Sequence, residues 1–476
     1  GMTVGVALPA SAEEPGSSGG EAMRVAESDS LAQKISESGD AGRTSPEQLA
    51  DATGLPVAGP GSLQVEADGR VGATVVFAAT PSAAQLAQVA QLAQVDRVLT
   101  VVPAVVVTAD ADKLDDLAAI EGVRSVDPDI VPVTGTSMRA QAPLAAVSDP
   151  ASCRAFPFDG DGPLRSGIAR ETFGVDGAGI TVGVISDSYG SATQITTPAD
   201  DVEAGLLPGP GNPCGYETPV EVLNDDSTGE DEGRAMAQLV HGVAPGARLV
   251  FATGHDGGIY GMAQAIHDLA AAGADVIVDD LTYYTETYFQ QSVVSAAITS
   301  VRTAGLAYYT SAGNSNAVGV SGSRSAGLPI SGWQTPAYRP MACPSWVTID
   351  IVLPTPASCL DFDPSGAEVP YDTVGLGAAP SELSVVASWG NAINGLSAVF
   401  ELQLYDVSGA TPQRVAKSAM LSATTPNTIL QIPDTAPVGE YRLVVVRLAQ
   451  DEGTVDPALW IGTVGDSDKL EWRTFD

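Results

Sequence analysis

Three polar residues stand where an apolar run stops and a loop begins. Asp187 follows GITVGVIS (179–186), Asn314 follows LAYYTSAG (306–313), and Glu232 lies near the head of DEGRAMAQLVHGV (231–243), whose apolar residues recur at helical spacing. Taken singly, each has an ordinary structural explanation. A carboxylate at a helix start complements the positive end of the helix, and an Asp or Asn after a strand is a turn former. Taken together they supply two carboxyls and one amide N–H donor. Two adjacent carboxyls that share a proton can act as base and acid, because repulsion between their charges raises one apparent pKa. An amide donor can stabilise a developing oxyanion.

Other reactive side chains are sparse. There are three histidines: His241 late in its helix, His267 inside another, and His255 in ATGHDGG, which is read as a solvated loop residue although it lies nearest the expected crevice. The acidic run from Asn224 to Asp231 has two readings, a solvated loop or a structural calcium loop, and it lacks the ligand order of an EF-hand. No cofactor is required by any motif. Cys153, Cys214, Cys343 and Cys359 show no metal-ligand spacing. Their order suggests bridges Cys153–Cys214 and Cys343–Cys359, among three formal pairings.

The elements that must position these residues follow from periodicity. Apolar runs at 179–186, 247–253, 274–281 and 306–313 alternate with helical patterns, which predicts a doubly wound parallel sheet. In such a sheet functional groups gather at the carboxyl edge of the strands. The expected core spans 173–329, and a polar loop joins its first strand to the helix at 231. Before it, 62–133 reads strand, helix, two strands, helix, strand, a ferredoxin-like α+β order, and 134–172 reads as a linker. After it, 330–476 loses helical periodicity and becomes short alternating strands, expected to form an all-β sandwich. Residues 13–61, rich in Ser, Gly, Glu and Ala, read as a flexible acidic leader. Residues 1–12 resemble the tail of a secretory signal, with Ala10-Ser11-Ala12 as a small-x-small cleavage site. That reading and the even cysteine count place the protein outside the cell.

The 476 residues carry 22 Lys+Arg against 58 Asp+Glu, a net charge of −36. A polyanion repels phosphate backbones and anionic headgroups, so nucleic acid and membrane surfaces are excluded as partners. No apolar run approaches the ~20 residues of a membrane span. With 44% hydrophobic residues the chain is a core former.

VGVISDSYG resembles the strand and loop bearing the first triad Asp of subtilisin-like serine peptidases, LVHGVAPGARL their helix-to-strand segment, and YYTSAGNS their oxyanion-hole Asn segment. The resemblance spans about 62–325 and implies a subtilisin-like parallel-sheet core preceded by an inhibitory propeptide at 62–133. It also implies protein or peptide substrates, with the chain's own propeptide as a partner. Where subtilases carry His-Gly-Thr-His, this chain has Asp231-Glu232-Gly233-Arg234. Glu in place of the base His resembles the sedolisins, the serine-carboxyl peptidases. A sedolisin places the partner Asp one turn later, at the position of Met236, so Asp187 is expected to supply the second carboxyl. Asn314 keeps the subtilase oxyanion role. The implied activity is a secreted serine endopeptidase with an acid-shifted optimum.

A nucleophile is missing. No Gly-Thr-Ser follows Asn314, and the one GTSM, at 135–138 with Ser137, precedes Asp187 and lies in the linker. The expectation is a Ser in sequence downstream of Asp476, with 330–476 an insertion or accessory module. The alternative is a peptidase-like binding or adhesion protein without catalysis.

Overall fold

The strand Thr181–Ser186 is the hub of a sheet whose strands run, in spatial order, 307–310, 276–279, 181–186, 248–253 and 221–224. All four pairings are parallel. The computed structural model describes residues 20–134, 153–193, 196–313, 317–319, 326–327, 329–330, 332–351, 356–378, 383–465 and 469–473, and every element counted here belongs to them. Parallel strands need long crossovers, and the helices Glu232–Val243, Gly258–Ala271 and Val293–Thr303 provide them. A central parallel strand is covered on both faces, which is why TVGVIS is apolar without alternation. Gly183 allows the helix at 258–271 to lie close, since a Cβ there would meet the Leu269 side chain at 3.0–3.2 Å.

Two stretches expected to be irregular are structured. The polar loop after 186 contains the helix Pro198–Glu203 and the edge strand Glu221–Asn224. The linker contains Asp161–Leu164 and Ser166–Phe173, and Arg170 donates to the carbonyls of Gly242 and Val243, closing the C-terminus of the helix from Glu232. The bridge Cys153–Cys214 forms in this α/β unit.

The second unit holds 20–133, 283–292 and the chain from 317 on. Its C-terminal part is a large antiparallel region. One sheet is built around strands 372–376, 398–406 and 439–450, the other around 384–389, 427–431 and 459–464. Val385, Trp389 and Ile461 of the second sheet share one core with Leu402, Leu443 and Val445 of the first. The indole of Trp389 donates to the Ala398 carbonyl at 3.1 Å, so its one polar atom is satisfied. Cys343–Cys359 closes a loop with sequence separation 16 beside this core. Replacing both cysteines by Ala is expected to lower stability by about 3 kcal/mol through the released chain entropy. Urea unfolding checks this, and a cost below about 1 kcal/mol would count against the bridge as a constraint on the unfolded chain.

Within 62–133 the order is strand 71–77, helix 83–92, strands 93–98 and 104–109, helix 114–118, strand 123–128. The strands line up as 93–98, 104–109, 71–77, 123–128 with antiparallel neighbours throughout, the ferredoxin-like arrangement.

The leader is the main correction. From residue 20 it folds into helices Glu21–Asp29, Leu31–Asp40 and Pro46–Thr53. Ser45 and Gln48 form a reciprocal capping box with Pro46 in the first turn. These helices are too short to persist alone, and burial stabilises them. Leu31, Ile35 and Leu49 are wholly buried, each contributing about 1.5–3 kcal/mol. The first helix packs on strands 398–406 and 439–450, which explains why 398–406 is buried on both faces although an outer sheet face would alternate.

Candidate functional site

The strands 181–186 and 276–279 are neighbours whose chains leave toward opposite edges of the sheet, one to 221–224 and the other to 307–310. A crevice is expected at that carboxyl edge. Asp187 is the first residue past the central strand and is buried. Its Oδ2 accepts the Glu230 N–H at 2.6 Å, and its Oδ1 accepts the N–H groups of Ser188 at 2.5 Å and Gly233 at 3.3 Å. Gly233 lies in the first turn of the helix from Glu232, so Asp187 caps that helix from another strand. Three of its roughly four acceptor positions are thereby used. Thr253, at the end of the next strand, donates to the Asp187 carbonyl.

Glu232 opens the same helix and is also buried. The Ser186 hydroxyl donates to its Oε2 at 3.5 Å, a long contact. The structure therefore gathers Asp187 and Glu232 at one buried helix N-terminus, where the helix dipole favours negative charge. Asn314 and Ser137 lie outside the described residues. The strand 307–310 ends at the same sheet edge, where the Ser311 N–H donates to the Asp279 carbonyl.

Residues that sequence reasoning missed hold this start in place. Asp231 adopts a left-handed φ of 63°, unusual for a residue with a Cβ. Its N–H donates to the Ser188 hydroxyl, while that hydroxyl donates to its Oδ1 at 2.9 Å. Burial works to raise the Asp231 pKa, but N–H groups of Ser191 and Ala192, the Ser188 hydroxyl and Arg234 together hold it below the usual carboxylate range. Arg234, buried, pairs with Asp201 at 2.6 Å and Asp231 at 2.8 Å, and donates to Thr196 and the Ala192 carbonyl. The signal available in the sequence was Arg in a helix's first turn, where a cation opposes the dipole and needs partners.

His255 is not a solvated loop residue. It is buried, and its Nδ1 lies 2.7 Å from Asp226 Oδ2. Burial tends to raise the Asp226 pKa, yet His255 and Thr228 hold it low, whereas burial dominates at neighbouring Asp225 and pushes it up. The acidic loop spends its carboxylates on protein donors: Asp225 accepts from Tyr189 and Gly190 N–H, Asp226 from Thr228. Among the described residues no group of three or more His, Cys, Asp or Glu side chains is placed to hold a metal ion. Asp279, at the end of strand 276–279, is a further buried carboxyl whose pKa burial raises, with Thr310 donating to it at 2.9 Å.

His241 is wholly buried with neither ring nitrogen hydrogen-bonded, edge-on to Tyr216. Burial, aided by the Arg154 charge, pushes its pKa down from the ordinary 6.5 to about 4. Above 6.5 both folded and unfolded chains hold it neutral and its contribution is complete. As pH falls from 6.5 toward 4 only the unfolded chain takes the proton, and about 3 kcal/mol of stability is lost. His241→Phe is expected to reduce the loss between pH 7 and 4.5 in urea unfolding. An unchanged loss would show that other groups govern acid stability.

No protein family model matches the chain, and no curated protein matches it. Among solved structures it is similar to the epidermin leader peptide processing serine protease EpiP from Staphylococcus aureus, with 13% identity and a TM-score of 0.34 over 53% of this chain and 63% of that one. It is similar to the CspB protease of Clostridium perfringens at 8% identity and TM-score 0.32, over 66% and 69% of the two chains. Fervidolysin from Fervidobacterium pennivorans, a keratinolytic enzyme related to subtilisin, gives 16% and 0.26 over 55% and 43%. The chain thus spans just under two thirds of EpiP. Among the described residues no helix is long and apolar enough to cross a membrane.

Proposed function

We propose that this chain carries the α/β core of a secreted serine endopeptidase of the subtilase and sedolisin type, in which Glu232 replaces the base His. The observation that carries this reading is the placement of two buried residues, Asp187 and Glu232, at one helix N-terminus on the carboxyl edge of a parallel sheet. Glu232 takes the proton of a Ser hydroxyl as that oxygen attacks the scissile carbonyl, and returns it to the leaving amine. Asp187 is the second carboxyl of the pair, and Asn314 donates its amide N–H to the oxyanion. A carboxylate base works best where its partner is partly protonated, so the optimum lies on the acid side. Substrates are proteins or peptides, and no cofactor takes part. The 62–133 domain serves the core as a pro-domain, and the antiparallel region is an accessory sandwich.

Labelling the native secreted protein with a fluorophosphonate at pH 4–7 and mapping the modified residue tests the proposal. A single labelled Ser in a Gly-x-Ser segment is expected. Failure to label any Ser, with no cleavage of an unfolded protein substrate across that pH range, would favour a peptidase-like binding protein.

A further inference from the structure

Residues 20–133 do not form a body separate from the antiparallel region, because the two share their interior. The helix Glu21–Asp29 contributes Ala22, Val25 and Ala26 to the same buried apolar cluster as residues of both sheets. The Ala22 N–H donates to the Asp451 carboxylate at 3.0 Å, and Ser30 forms a parallel bridge with Met420. A second core joins Ile35 and Leu49 of the leader and Val75 of the 62–133 sheet to Val386, Leu421 and Ile429 of the antiparallel region. All six are almost wholly buried. A segment built for release leaves surfaces that water tolerates on both sides, whereas separation here would expose large contiguous apolar faces.

We propose that residues 20–133 are a permanent component of the antiparallel region, held by this shared core and not by the continuity of the backbone between Thr134 and Cys153. The inference deepens the pro-domain reading above: whatever help 62–133 gives in folding, it remains bound afterwards. The leader acts as the clasp, since its helices contribute to both cores.

The test is a cut in the full protein. A recognition sequence for an added site-specific protease is placed between Thr134 and Cys153, and the folded protein is digested. The first cysteine of the chain is Cys153, so no disulfide ties the N-terminal fragment to the rest. Native size exclusion is expected to give one peak at the uncut volume, containing both fragments on a denaturing gel. Elution of the N-terminal fragment by itself would overturn the proposal.

A second measurement identifies the holding surface. Leu421→Ala, introduced into cleavable protein whose circular dichroism matches the parent, is expected to lower the urea concentration that releases the fragment by ~1 M or more. An unchanged release midpoint would refute the shared core as the holding surface. Neither readout uses catalysis, so failure of the peptidase reading leaves this inference standing, and failure here leaves Asp187 and Glu232 untouched.

Discussion

Arg234→Met is expected to cost about 3–5 kcal/mol of folding stability. Arg234 is buried between two buried aspartates, at 2.6 Å from Asp201 and 2.8 Å from Asp231. Removing the guanidinium leaves both carboxylates without their cation, and the cost is their desolvation far more than the lost attraction. The Asp231 backbone already sits at a positive φ, so the lesion falls where the turn into the Glu232 helix depends on side-chain support. Arg234→Lys keeps the charge but not the planar fork that serves Asp201, Asp231, Thr196 and Ala192 together, and is expected to recover only part of the loss. Urea unfolding at pH 7 measures both variants. A cost for Arg234→Met below about 1 kcal/mol would mean that the network is not a stabilising feature of the helix start.

Glu232→Gln is expected to reduce peptide hydrolysis by ~10²-fold or more while leaving the fold intact, because the amide keeps size and polarity but cannot take a proton. One of its contacts is compatible with that separation: the Ser186 hydroxyl reaches Oε2 at 3.5 Å, and a Gln oxygen can accept the same bond. The measurements are kcat/KM from pH 4 to 7 and thermal unfolding of the same sample. Retention of more than about a tenth of the parent rate would remove Glu232 from the base role. A lost rate together with a collapsed fold would instead make Glu232 a helix-start residue. Working at acid pH carries a stability penalty in this molecule, since His241 must stay neutral inside the α/β unit.

Much of the α/β unit could be read directly, because strands buried on both faces and helices buried on one leave strong periodic signals. TVGVIS, RLVFAT and the helix from Glu232 fall where the apolar pattern places them. Both cysteine pairs are the local ones. The leader and the loop after Asp187 could not be read this way. Their helices are short; those of the leader are stabilised by partners hundreds of residues away, as with Ala22 and Asp451 or Ile35 and Ile429, and the one in the loop by the pairing of Asp201 with Arg234.

The same division runs through the candidate site. Asp187 and Glu232 were legible because each follows or begins an element that sequence periodicity defines. The aspartate's capping of Gly233, the mutual clamp of Ser188 and Asp231, the burial of Arg234 and the pairing of His255 with Asp226 were decided by tertiary structure alone. Local sequence sets which backbone groups lack partners at a strand end or a helix start. Which distant side chain satisfies them, and which charged groups are drawn out of water in doing so, depends on what the fold brings within hydrogen-bond distance.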